Sequence, residues 1–134
     1  MSFDGLTLYF SSLRSGGAGG DDLWSSTRAS TSVPFGAPVN LAEINSADSE
    51  SGPASSGDGL TLFFASDRDG DLNLWMASRE SVDDAFGAPV PVDNVNSNDV
   101  DKDPAISWDG TELIFVSHRT GDDQLWRATR TCLD

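Results

Sequence analysis

"SGDGLTLFFASDRDGDLNLW", residues 56–75, joins a Ser-x-Asp-Gly punctuation to an apolar run and closes on a Leu-Trp pair. The same order returns in "SFDGLTLYFSSLR" from Ser2, followed by "DLWSSTR" at 22–28, and in "SWDGTELIFVSHR" from Ser107, followed by "QLWRATR" at 124–130. The Leu-Trp pairs at 23/24, 74/75 and 125/126 stand 51 residues apart. Between them, "FGAPVNLAEINSADSESGPA" at 35–54 matches "FGAPVPVDNVNSNDVDKDPA" at 86–105 with the same step. Asp4 and Asp58 are 54 apart, and the three extra residues fall in the Gly-rich 15–22, where a loop absorbs an insertion at little cost. A tandem repeat of this period predicts small units that bury their apolar faces by stacking on one another.

The units run about 2–50, 51–101 and 102–134 within a single repeat domain, 1–134. Each apolar run is short and ends in Gly, Asn, Asp or Pro, the punctuation of strands rather than helices. Asp-Gly ahead of "LTLFF" predicts a tight hairpin, since both residues accept the positive φ angles of a two-residue turn. Leu8, Leu62 and Leu113 share one aligned position and Phe10, Phe64 and Phe115 another, while Tyr9, Phe63 and Ile114 occupy the opposite face. A strand apolar on both faces belongs in a sheet covered on both sides. Four strands per unit follow: "GPASS" or "DPAIS", "LTLFFAS", "NLWMASR" and "APVPV", called a to d from here. Pro38, Pro89 and Pro91 suit strand d as the outermost, where a missing N–H is tolerated. The fold class is all-β, a partial β-propeller of three repeats with four-stranded antiparallel blades and about ten strands, completed by oligomerisation.

Ser-x-Asp-Gly, an apolar strand, Ser-Asp-Arg, a Gly/Asp turn and an aromatic strand resemble the WD-repeat-like propeller repeat of TolB type across nearly the whole chain. The second unit matches best. Phe3, Gly57 and Trp108 depart from the family's usual Pro after the Ser, and Leu13 and His118 from its Asp before the Arg. That resemblance implies the propeller fold, and a family that includes peptide-binding and scaffolding propellers as well as propellers attached to enzymes.

The chain carries 22 acidic and 8 basic residues, a formal net charge of -14, which argues against nucleic acid or an anionic membrane as partner. Four Trp and seven Phe in periodic positions argue against disorder. Cys132 is the only cysteine and has no His or carboxylate motif beside it, so it reads as an inert thiol. No signal segment opens the chain as written, which gives a cytoplasmic expectation, or a periplasmic or secreted one if the chain is part of a longer protein.

Antiparallel strands send the b–c and d–a loops to one end and the a–b and c–d loops to the other. The first end gathers most of the acids, and Asp48, Glu50, Asp67, Asp69, Asp71, Asp99, Asp101 and Asp122 are the candidate binding residues there. Asp67, Asp69 and Asp71 in "DRDGDLN" have the alternate spacing of a calcium loop, yet Gly is fourth and residue 78 is Ser, so weak calcium binding is the most this loop predicts and no cofactor is expected. Arg14, Arg68 and Arg119 recur at the end of strand b. They suit either bridges between blades or an arginine cluster for a carboxylate, as in sialidases, but the only Tyr, Tyr9, sits inside an apolar strand. Asp4, Asp58 and Asp109 are repeat turn residues, and Trp24, Trp75 and Trp126 are core contacts between blades. His118 is the only His, which removes a triad on Ser2, Ser56 or Ser107 as well as a zinc site. Trp108 has no repeat mate and reads as an exposed aromatic.

The expected function is a non-enzymatic propeller module that presents an acidic loop face to a protein, peptide or cation, with a homodimer closing a six-bladed ring. Two other readings stand beside it: a glycan-binding or glycan-hydrolysing propeller of sialidase or lectin type, and an inactive fragment of a larger propeller protein.

Overall fold

A computed structural model describes residues 1–130. Cys132 lies outside the described residues. Ten strands are present among the described residues: β1 (Thr7–Ser12), β2 (Asp22–Thr27), β3 (Val39–Asn40), β4 (Glu50–Ser55), β5 (Thr61–Ser66), β6 (Asn73–Ser78), β7 (Val90–Pro91), β8 (Asp101–Ile106), β9 (Glu112–Ser117) and β10 (Gln124–Thr129). They form three antiparallel sheets in the orders β1-β2-β3, β4-β5-β6-β7 and β10-β9-β8. This is a partial propeller of three blades, the middle one with all four strands.

Each junction between blades has its own core. At the first, Tyr9, Leu23, Leu41 and Ile44 pack against Leu62, Phe64, Trp75, Ala77 and Phe86. Phe63, Leu74 and Val92 meet Leu113 and Phe115 at the second, with Met76 and Trp126 at its margin. Successive side chains of a strand point to opposite faces, so β5 supplies Leu62 and Phe64 to one junction and Phe63 to the other. The neighbours, more than the residues, set the exposure: β5 is buried nearly throughout, whereas Ile114 on β9 is 41 % exposed on the face turned away from β5.

Three details differ from the sequence reading. Strand d shrinks to two residues, Val39–Asn40 and Val90–Pro91, because the prolines around it cannot donate to a ladder. Strand a opens at Glu50 and Asp101, one residue before the expected unit boundaries, and bulges at Gly52 and Asp103, whose φ angles are +60° and +52°. The a–b turn is not a two-residue hairpin either. Residues 56–60 separate β4 from β5, and of the Asp-Gly pair only Gly59 has a positive φ, +71°.

Candidate functional site

That five-residue turn is fixed by its own side chains, identically in each blade. Asp58 Oδ1 accepts from Ser56 Oγ at 2.6 Å and from Leu60 N at 3.0 Å, and Ser56 Oγ accepts from Thr61 N at 2.9 Å. Asp4 repeats the pattern with Ser2 and Leu6, and Asp109 with Ser107 and Thr111. These bonds stabilise the carboxylate, and at Asp109 they lower its pKa from 3.8 to about 2. A second set of arginines clamps the turn from outside. Arg28, Arg79 and Arg130 donate from Nε to the carbonyls of Gly5, Gly59 and Gly110 at 2.8, 2.9 and 2.7 Å.

At the other end, Glu50 and Asp101 were candidates for an exposed binding face, and the structure corrects this: both side chains are fully buried. Glu50 accepts from Ser46 N, Ser66 Oγ and Arg68 Nη2 at 2.9, 2.7 and 3.0 Å. Asp101 accepts from Ser97 N at 2.6 Å and from Arg119 Nη2 at 2.9 Å. Burial pushes the Asp101 carboxyl up, but hydrogen bonds from Ser117, Ser97 and Arg119 outweigh it and hold the pKa below its ordinary value. The same guanidinium groups reach back to the preceding blade, Arg68 to the carbonyl of Ile44 and Arg119 to that of Val95, each at 2.7 Å. Arg68 and Arg119 also lie over Trp75 and Trp126, 4.9 and 4.8 Å from the ring centroids. Arg14 keeps the Trp contact at 5.2 Å but is exposed, and its side chain bonds only to Ser12 among the described residues.

Asn45 and Asn96 complete the scaffold and were missed in the sequence. Each side chain acts as a strand edge: Asn45 accepts from Leu23 N and donates to Leu23 O, and Asn96 does the same at Leu74, all within 2.8–3.0 Å. Their signal was available, since "NS" recurs at 45/46 and 96/97 with the 51-residue step.

What remains accessible on the loop face is acidic. Asp48, Asp69, Asp71, Asp99 and Asp122 are exposed, whereas Asp67 is half-buried and accepts from Ser49 N at 2.8 Å. One oxygen of the Asp67 carboxylate is thereby engaged by the neighbouring loop. Of the 8 basic residues, five are held in the arginine clamps, Lys102 pairs with Asp123 and Arg127 with Glu112, and Arg14 is the exposed one that meets no carboxylate among the described residues.

Solved structures share this arrangement of strands. A protein assigned as TolB from Agrobacterium tumefaciens superposes with a TM-score of 0.67 at 19% identity, over 96% of this chain and 40% of that one. TolB from Acinetobacter baumannii gives 0.66 at 16% identity, over 94% of this chain and 27% of the other. The fold is a TolB-type β-propeller. This propeller chain spans less than half the length of either structure. No protein-family model and no curated protein matches the sequence.

Proposed function

We propose that the chain is a non-enzymatic propeller module that binds a basic protein or peptide through the loop face carrying Asp48, Asp69, Asp71, Asp99 and Asp122. The observation that carries this reading is the internal use of the basic residues. Arg68 and Arg119 pair with carboxylates inside the blades, so the five exposed aspartates of the loop face are offset there by Arg14 as the one exposed guanidinium. Such a field accelerates encounter with a basic partner and is screened by salt. A scaffolding rather than catalytic role is supported by what the reactive side chains do: Ser2, Ser56 and Ser107 close turns, and His118 abuts Asp123. A sialidase-like carboxylate site loses support because two of its three arginines, Arg68 and Arg119, are held on Glu50, Asp101 and backbone carbonyls.

An oligolysine peptide is the probe. Its affinity should fall steeply with ionic strength and drop on combining Asp69→Asn, Asp71→Asn and Asp122→Asn. Salt-independent binding, or binding untouched by the three changes, overturns the reading.

A further inference from the structure

The residue between Ser and Asp in the repeated turn is Phe3, Gly57 and Trp108 in successive blades. The three turns lie at one end of the propeller, and the rings of the outer two meet across the middle one. Phe3 and Trp108 stack with centroids 3.7 Å apart and planes tilted by 39°. Gly57 makes this contact sterically allowed: a Cβ there would collide with the Trp108 carbonyl oxygen and lie 2.5 Å from its ring. Neither ring joins a core. Phe3 is 72 % and Trp108 60 % exposed, so folding leaves two large apolar surfaces in solvent at a single place.

Trp108 lines two adjoining clefts of about 610 and 370 Å³. The larger holds the carboxylates of Asp4, Glu43, Asp58, Asp83 and Asp84 and one basic group, Arg79. That guanidinium is committed, donating to Gly59 O, Asp84 O and the Tyr9 hydroxyl and lying 4.5 Å over the Phe86 ring. The smaller cleft adds Asp109, and its Arg130 is held on Gly110 O. An aromatic face attracts an organic cation through its quadrupole, and surrounding carboxylates add charge complementarity.

We propose that the Phe3–Trp108 stack is a second binding site, which takes the Arg or Lys side chains of an extended basic peptide, with the cation over the indole and Asp58, Asp83 and Asp84 around it. Continuation of the cleft on both sides of Trp108 favours a peptide over a small free cation, because a chain can occupy both parts at once. The site lies at the opposite end of the blades from the acidic loop face and goes beyond the function proposed for that face.

Titration with acetyl-Gly-Arg-Gly-Arg-Gly-amide, read by calorimetry, tests it. Affinity should fall about tenfold in Trp108→Ala, hold up better in Trp108→Phe, and fall about threefold when Asp83→Asn and Asp84→Asn are combined. It should persist in the variant with Asp69→Asn, Asp71→Asn and Asp122→Asn, which separates this site from the loop face. Asp83 and Asp84 are exposed, so their substitution keeps the test valid should Trp108→Ala prove poorly folded. Absence of binding, equal affinity for the peptide with citrulline in place of arginine, or indifference to both the Trp108 and the Asp83/Asp84 variants overturns the proposal. Equally tight binding of tetramethylammonium would overturn the peptide assignment, and binding of a neutral oligosaccharide alone would give the platform to sugars.

Discussion

Glu50 has no exposed surface, and among the described residues Arg68 is the one basic side chain that meets it. Removing one partner of a buried pair leaves the other uncompensated, which costs more than the pair itself is worth. Arg68→Met should therefore lower stability by about 3 kcal/mol in urea denaturation. Arg14→Met, at the matching position but exposed, should change it by less than about 1 kcal/mol. Trp75→Ala, which deletes a ring at the first junction, should cost about 3 to 5 kcal/mol. Asp109 supplies a pH dependence. Its folded pKa, about 2, lies below the ordinary 3.8, so its ionised form stabilises the fold above 3.8 and that contribution disappears as pH falls through 2. Melting temperature followed from pH 5 downward should fall less steeply in Asp109→Asn than in the parent. At this scale the sequence was half legible. The turn aspartates and the tryptophans declare themselves by repetition, but Glu50 and Asp101 look in one dimension like their exposed neighbours Asp48 and Asp99. Only the strand start that points them inward, beside Ser66 and Ser117, distinguishes them.

Among the elements, strand a carries the most unusual backbone. Gly52 sits at φ +60°, and a Cβ there would lie 3.3 Å from the Asp103 carboxylate, where the inner strands β4 and β8 approach each other. Gly52→Ala meets both the dihedral penalty and the contact, and a loss of about 1 kcal/mol or more is expected in thermal melting. Strands b and c were readable to within a residue because alternating apolar positions and the Leu-Trp pair mark both of their faces. Strand d was not. "APVPV" has strand composition, but its ladder needs N–H groups that proline lacks, so pairing contracts to the two residues opposite Trp75 and Met76. The a–b turn failed for a related reason, since Ser56 Oγ takes the place of a backbone partner and lengthens the connection.

The whole molecule presents two unlike ends. One is the face of the first blade bearing Leu8 and Phe10, half-buried; the other is the face of the third bearing Ile114 and Leu125, the latter 77 % exposed. These surfaces are related as Phe63 and Leu74 are to Leu113 and Phe115, which already pack at the second junction. A second copy joined head to tail would repeat that contact and give about six blades. Light scattering is expected to report twice the chain mass, reverting to one chain mass in Leu125→Asp; a compact parent monomer would exclude this closure.

Arg68 holds Ile44, and Arg119 holds Val95, so each latch ties a blade to the linker that precedes it rather than to itself. Its parts are therefore inherited across a boundary. A duplication of one whole 51-residue period adds one complete latch and leaves the existing ones whole, whereas a deletion between Ile44 and Arg68, or between Val95 and Arg119, displaces a carbonyl, a carboxylate and a guanidinium from one another. Chain length is thus tolerant in the b–c loops, as the three extra residues at 15–22 show, and constrained across each blade boundary by the chemistry of three atoms.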